Sequence, residues 1–218
     1  MSQTSLGYNP LDRANLEKSI ATAILDRPVV PIPCSVRDRM VGSGVYALYY
    51  TGPFGLYEPL ARRNREVPFS YPIYVGKAAP KGARTGAEPE EGDKYKLYLR
   101  LQQHARSIRK TDLNVADFHC RYLVVEDIWI PLGESLLIRQ FQPLWNSLLF
   151  GGFGNNDTGG NRAAQDLSAW DLLHPGRRAK PLSAEDEARR QTAADAVAQY
   201  MLALRTTDPP SEVLPPRA

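Results

Sequence analysis

The chain has 218 residues, 43% of them hydrophobic, and a formal net charge of +3. That length suits one elaborated domain with a real core, and so small a net charge announces no polyanion-binding role. Two cysteines that form no CxxC pair and three histidines without ligand spacing argue against a disulfide scaffold and a structural zinc site.

Asn9-Pro10 offers a cap for a first helix over 10–26, where Leu16, Ile20, Ala23 and Ile24 recur at helical spacing before Pro28. "PVVPIPCSVRDRM" (28–40) reads as an extended connector and "GVYALYY" (44–50) as the first core strand. The next strand, "PIYVGKA" (72–78), follows only after an insertion over 51–70, far longer than a hairpin loop needs. Residues 79–93 are rich in Gly and Pro and read as a loop. A helix over 94–110 then presents Leu97, Leu101 and Ile108 as an apolar stripe. "DFHCRYLVVED" (117–127) alternates as a third strand, and "IPLGESLLIRQFQ" (130–142) is a helix closed by Pro143.

"GGFGNNDTGGN" (151–161) lacks the Lys-Ser/Thr of a phosphate-cradling loop and reads as mobile surface. "SAWDLLHPGR" (168–177) is a short helix with a proline–glycine stop. A longer helix over 183–205 opens with Ser183 and Asp186 as a variant capping box. The chain thus divides into a core over 40–150, the N-terminal helix, a helical extension over 163–205 and a disordered tail over 206–218, in one domain spanning 1–218. No apolar run has the length of a membrane span, and "MSQTSLGYNPLDR" has no signal-peptide core, so the chain reads as a soluble protein of a reducing compartment.

Charge is distributed unevenly. Residues 61–110 carry 12 Lys/Arg against 5 Asp/Glu, a balance of +7, while the remainder balances at −4. A local positive surface suits a polyanion, although a solvated basic face has the same composition. Arg100 and His104 are four apart on one helix face, beside the apolar stripe and directed to the rim of the sheet. Each has an ordinary explanation: a snorkelling arginine, or a core-edge histidine. Glu134, read as lying in the first turn of its helix, could simply complement the helix dipole. Asn146 could shape a turn, and Tyr46 and Tyr74 could be strand aromatics.

Read together, the order "GVY", "YVG", Arg-xxx-His, Glu and "PLWN" over 44–146 resembles the GIY-YIG nuclease family. The resemblance implies an α+β fold, a small antiparallel three-stranded sheet flanked by helices, and hydrolysis of a DNA phosphodiester. The tyrosines of the two tripeptides are separated by 27 residues. Such insertions are similar to those of the type II restriction endonucleases of this family, particularly the group that cuts the palindrome CCGCGG.

On that resemblance Tyr46 is the general base, an unusual task for a group that is only about 0.1% phenolate at pH 7 when unperturbed. His104 and Arg100 would assist it by hydrogen bonding and by favouring phenolate, and Arg100 would contact the scissile phosphate. Whether Tyr46 or His104 is the proximate base stays open. Glu134, the one carboxylate of the set, would hold a Mg²⁺ ion, with Mn²⁺ able to substitute. Tyr74 would bond the water or phosphate, Lys77 would help neutralise the phosphate, and Asn146 would orient the site. The basic stretches "ARRNR" (Arg62, Arg63, Arg65) and "KAAPKGAR" (Lys81, Arg84) are the candidate double-stranded DNA contacts. A palindromic target implies a homodimer on DNA. The same resemblance implies a bacterial, cytoplasmic protein with a cognate DNA methyltransferase. A structure-selective repair nuclease and a catalytically idle DNA-binding module are the alternatives.

Overall fold

"GVYALYY" shows no alternation of polar and apolar residues because both of its faces are covered. The structure is a computed structural model that describes residues 9, 11–33, 35–80, 94–146, 153, 167–176 and 182–206. The strand, β2 (Gly44–Tyr50), is buried along its whole length, as expected for a strand packed on both sides. Val45, Ala47 and Tyr49 face one core with Ala21, Ile24, Ile130 and Leu137. Tyr46, Leu48 and Tyr50 face a larger core with Leu60, Leu101, Trp145 and Trp170.

Among the described residues the sheet is antiparallel and has four strands. With β1 (Val30–Pro31), β3 (Tyr74–Ala78) and β4 (Phe118–Val124), the order is β1-β4-β2-β3. The expected three strands are therefore joined by a fourth, since the connector over 28–40 pairs Val30 with Cys120 and Pro31 with His119. Its proline sits on an edge strand, where a missing N–H is tolerated.

One face carries α1 (Arg13–Leu25) and α4 (Ile130–Phe141). Helix α1 starts three residues later than Pro10 suggests, because the side chain of Asp12 accepts from the Ala14 amide and takes the cap. The other face carries α2 (Glu58–Glu66), α3 (Lys96–Ile108), α5 (Ala169–Leu173) and α6 (Ala184–Thr206). The insertion over 51–70 thus contains a packed helix. Its Leu60, Ala61 and Asn64 are buried, and Asn64 donates to the carbonyls of Tyr50 and Tyr71 while accepting from the Tyr71 amide.

The α6 capping box forms as its spacing predicts: the Asp186 amide donates to Ser183 Oγ at 3.1 Å, and the Ser183 amide donates to Asp186 Oδ2 at 3.2 Å. The "WDLLHPG" segment belongs to the core. Buried His174 meets the Tyr57 hydroxyl at 2.6 Å through Nε2 and Asp112 at 3.2 Å through Nδ1. Residues 206–218 were read as a disordered tail, but Thr206 closes α6 and 207–218 lie outside the described residues.

Candidate active site

Two tyrosines and a glycine interlock where β2 meets β3. Tyr46 lies opposite Gly76 in the register. A Cβ on Gly76 would strike the Tyr46 hydroxyl, stand 2.6 Å from Tyr46 Cζ and stand 2.8 Å from Tyr74 Cε1. The glycine of "YVG" is thus a close-approach glycine that lets the Tyr46 ring lie across β3.

Beneath the rings runs α3, and it presents two stripes. Leu97, Leu101, His104, Ala105 and Ile108 are buried, whereas Lys96, Leu99, Arg100 and Gln103 line an open cleft of about 460 Å³. His104 is fully buried, so it lies in the apolar stripe and not at the sheet rim where its spacing suggested. Its Nε2 stands 2.6 Å from the Tyr46 hydroxyl. Tyr74 completes the cluster, with its ring centroid 5.3 Å from that of His104 and 6.3 Å from that of Tyr46.

The electrostatics set the protonation of the Tyr46–His104 pair. Burial pushes the Tyr46 phenol well above its ordinary value, Tyr74 and Glu134 add to the rise, and Arg100 opposes it. Burial raises Tyr74 as well, again opposed by Arg100. Burial, then the charge of Arg100, hold His104 well below the usual histidine value. A neutral imidazole and a protonated phenol therefore share this bond, and with Nε2 as the unprotonated nitrogen the phenol is the donor. This corrects the expectation that Arg100 and His104 leave Tyr46 favoured as phenolate: removing both groups from water outweighs the guanidinium.

The cleft wraps around the edge strand. Tyr74 and Gly76 face α3, and Lys77, of opposite parity, faces α4. There Lys77 Nζ meets Glu134 Oε2 at 2.5 Å. Glu134 is the fifth residue of α4, because a 3-10 turn over Asp127–Trp129 takes up the preceding residues. It is not in the first turn, so helix-dipole complementation does not account for it. Asn146 meets β3 from outside, accepting from the Val75 amide at 2.7 Å and donating to the Val75 carbonyl at 2.8 Å. It replaces a missing neighbour strand and fixes the residue between Tyr74 and Gly76.

Tyr46, Tyr74, Lys77, Arg100, His104 and Glu134 therefore converge, with Asn146 holding the strand that carries two of them. The arginines of "ARRNR" sit elsewhere, on α2. Arg63 donates to the Tyr71 hydroxyl and the Leu204 carbonyl, Arg65 pairs with Glu58, and Arg62 stands 3.8 Å from Glu66. Lys81 and Arg84 lie outside the described residues.

Phe153 went unnoticed in the sequence. It is the one described residue of the glycine-rich loop, and it is buried. Its ring centroid lies 5.2 Å from His104, 5.5 Å from Tyr74 and 4.2 Å from Trp170. A lone aromatic in a run otherwise of Gly, Asn, Asp and Thr is the signal that could have found it. Phe153→Ala should lower stability by about 3–5 kcal/mol, the usual cost of emptying a buried aromatic site. Denaturant unfolding measures this, and a loss below about 1 kcal/mol would place the ring outside the core.

The family profile described as the Eco29kI GIY-YIG domain matches residues 38–201, which span all of these groups. The chain belongs to that family. Eco29kI GIY-YIG domains are a restriction-endonuclease branch of the GIY-YIG nucleases, and membership implies a DNA-hydrolysing enzyme. No curated protein matches the chain. Among the described residues no helix is long and apolar enough to cross a membrane.

The family's use of divalent metal can be set against the donors present. Among the described residues no cluster of three or more His, Cys, Asp or Glu could cage an ion. Glu134 is nonetheless a carboxylate at the wall of an open cleft, with a cation already drawn to one oxygen. That suits a hard ion held by one carboxylate and otherwise by waters and substrate phosphate oxygens.

Proposed function

We propose that this protein is a type II restriction endonuclease that hydrolyses double-stranded DNA at a palindromic G/C-rich site, CCGCGG. The observation that carries the reading is the 2.6 Å bond from the Tyr46 hydroxyl to His104 Nε2, buried behind Tyr74, which lines a cleft with Arg100, Lys77 and Glu134. A decayed DNA-binding module has no need to keep a buried phenol and imidazole in register with a guanidinium and a carboxylate.

In the proposed reaction Tyr46 receives the proton of the attacking water as its own proton passes to His104 Nε2. The water oxygen bonds to phosphorus, the bridging P–O bond on the far side breaks, and solvent protonates the leaving oxygen. Arg100, beside both phenols, would meet the charge gathering on the phosphate. Tyr74 bonds the water or a phosphate oxygen, and Asn146 keeps β3 in place. Glu134 would hold Mg²⁺ or Mn²⁺, which when bound supplies positive charge to the phosphate and leaving oxygens.

His104 must be neutral to accept that proton. Its pKa lies below the ordinary 6.5, so it stays neutral as the pH falls through 6.5, and the acid limb of the cleavage profile should lie below that value. Cleavage that halves at pH 6.5 or above would contradict a relay through His104.

Lys96 and Gln103, one turn before and after Arg100, are proposed as backbone contacts beside the scissile phosphate. Lys81 and Arg84 stay proposed as DNA contacts, and so, with less support, do Arg62, Arg63 and Arg65, whose side chains meet partners within the fold. A palindromic site implies a homodimer on DNA, and a restriction enzyme implies a methyltransferase that protects its host. Sequencing the ends of a cut plasmid tests the assignment. Unique ends at CCGCGG are expected, whereas cleavage confined to branched or nicked substrates would make the protein a structure-selective nuclease.

A further inference from the structure

The Lys77–Glu134 pair ties the edge strand β3 to α4, and its members are unequally exposed: the Glu134 side chain is 19% exposed and that of Lys77 is 39%. The carboxylate is the more sheltered partner and the less able to go without a cation. Lys77 follows Gly76 directly, and its backbone is held in the β2 ladder opposite Val45. Its four-carbon stem can swing while that backbone stays still.

We propose that Lys77 is the resident counter-ion of Glu134 and is exchanged for the divalent cation when metal binds, which releases its ammonium into the cleft for a DNA phosphate. The inference rests on the reading of Glu134 as the metal ligand. The ammonium and a divalent ion compete for Glu134, because both are positive, repel each other at short range and draw on the same carboxylate charge. Exchange leaves the carboxylate paired in both states, and it supplies a second positive charge to the cleft only once the first is in place. Metal-free protein then presents a site in which Lys77 and Glu134 cancel, so the cleft gains its full positive field on loading.

Titrating DNA-free protein with Mn²⁺ and following the free-ion signal by electron paramagnetic resonance tests the exchange. Removing a half-exposed competitor should tighten Mn²⁺ binding by K77M about two- to fivefold, the worth of such an ion pair. K77Q should do the same with a polar side chain, and K77R, which keeps the charge, should bind Mn²⁺ as the parent does. Unchanged or weaker binding by both K77M and K77Q overturns the exchange. E134Q and the double variant K77M/E134Q should lose the site. Mn²⁺ binding that persists unchanged in E134Q overturns instead the reading of Glu134 as the metal ligand, so the two failures are told apart.

Discussion

Tyr46→Phe should fold like the parent and cleave DNA roughly 10²–10⁴ times more slowly, the usual worth of general acid–base catalysis. The ring is fully buried between β3 and α3, and phenylalanine keeps its volume and its edge contact with His104 at 5.5 Å between centroids. What disappears is the hydroxyl, and with it both the donor to His104 Nε2 and the oxygen that would receive the water's proton. The imidazole is left buried without that donor, which should cost about 1–3 kcal/mol of stability. Circular dichroism and thermal unfolding report the first effect, and plasmid cleavage under single-turnover conditions reports the second. A folded variant that cuts at the parental rate removes Tyr46 from the proton path and leaves its hydrogen bond a matter of packing.

Much of the frame was legible because long elements carry their own period. The apolar stripe of α3, the aromatic run of β2 and the Ser183–Asp186 box each rest on local chemistry, and local chemistry needs no partner to be read. Strand β1 escaped because two residues have no period, and only β4 shows that they pair. Helix α2 escaped because its nine residues are dense in charge and only Leu60, Ala61 and Asn64 turn inward. The constellation was legible as a list of residue types in order. Its electrostatics were not: sequence spacing placed His104 at the rim, but depth in the core sets the protonation of both Tyr46 and His104. Phe153 was hidden for a similar reason, since a glycine-rich composition reports chain freedom and says nothing of where one aromatic side chain is anchored.

Glu134→Gln should separate binding from cleavage. Glutamine keeps the shape of the side chain and loses its charge, so a hard cation held as proposed would lose the Glu134 carboxylate. Cleavage should fall by roughly 10²-fold or more at any practical Mg²⁺ concentration, in line with the several kcal/mol that a metal ion contributes to charge stabilisation in the transition state. Affinity for DNA should hold or rise, because one negative charge leaves the cleft proposed to face the phosphate and Lys77 is freed from its partner. The stability cost should be small: the lost pair is partly exposed, at 19% and 39% for the two side chains, and exposed pairs contribute about 0–1 kcal/mol. A role confined to the fold predicts the reverse pattern, a less stable protein that still cuts. Gel-shift binding, thermal unfolding and plasmid cleavage on one preparation distinguish the two, and parental cleavage by a folded Glu134→Gln protein would end the assignment of Glu134 as the metal ligand.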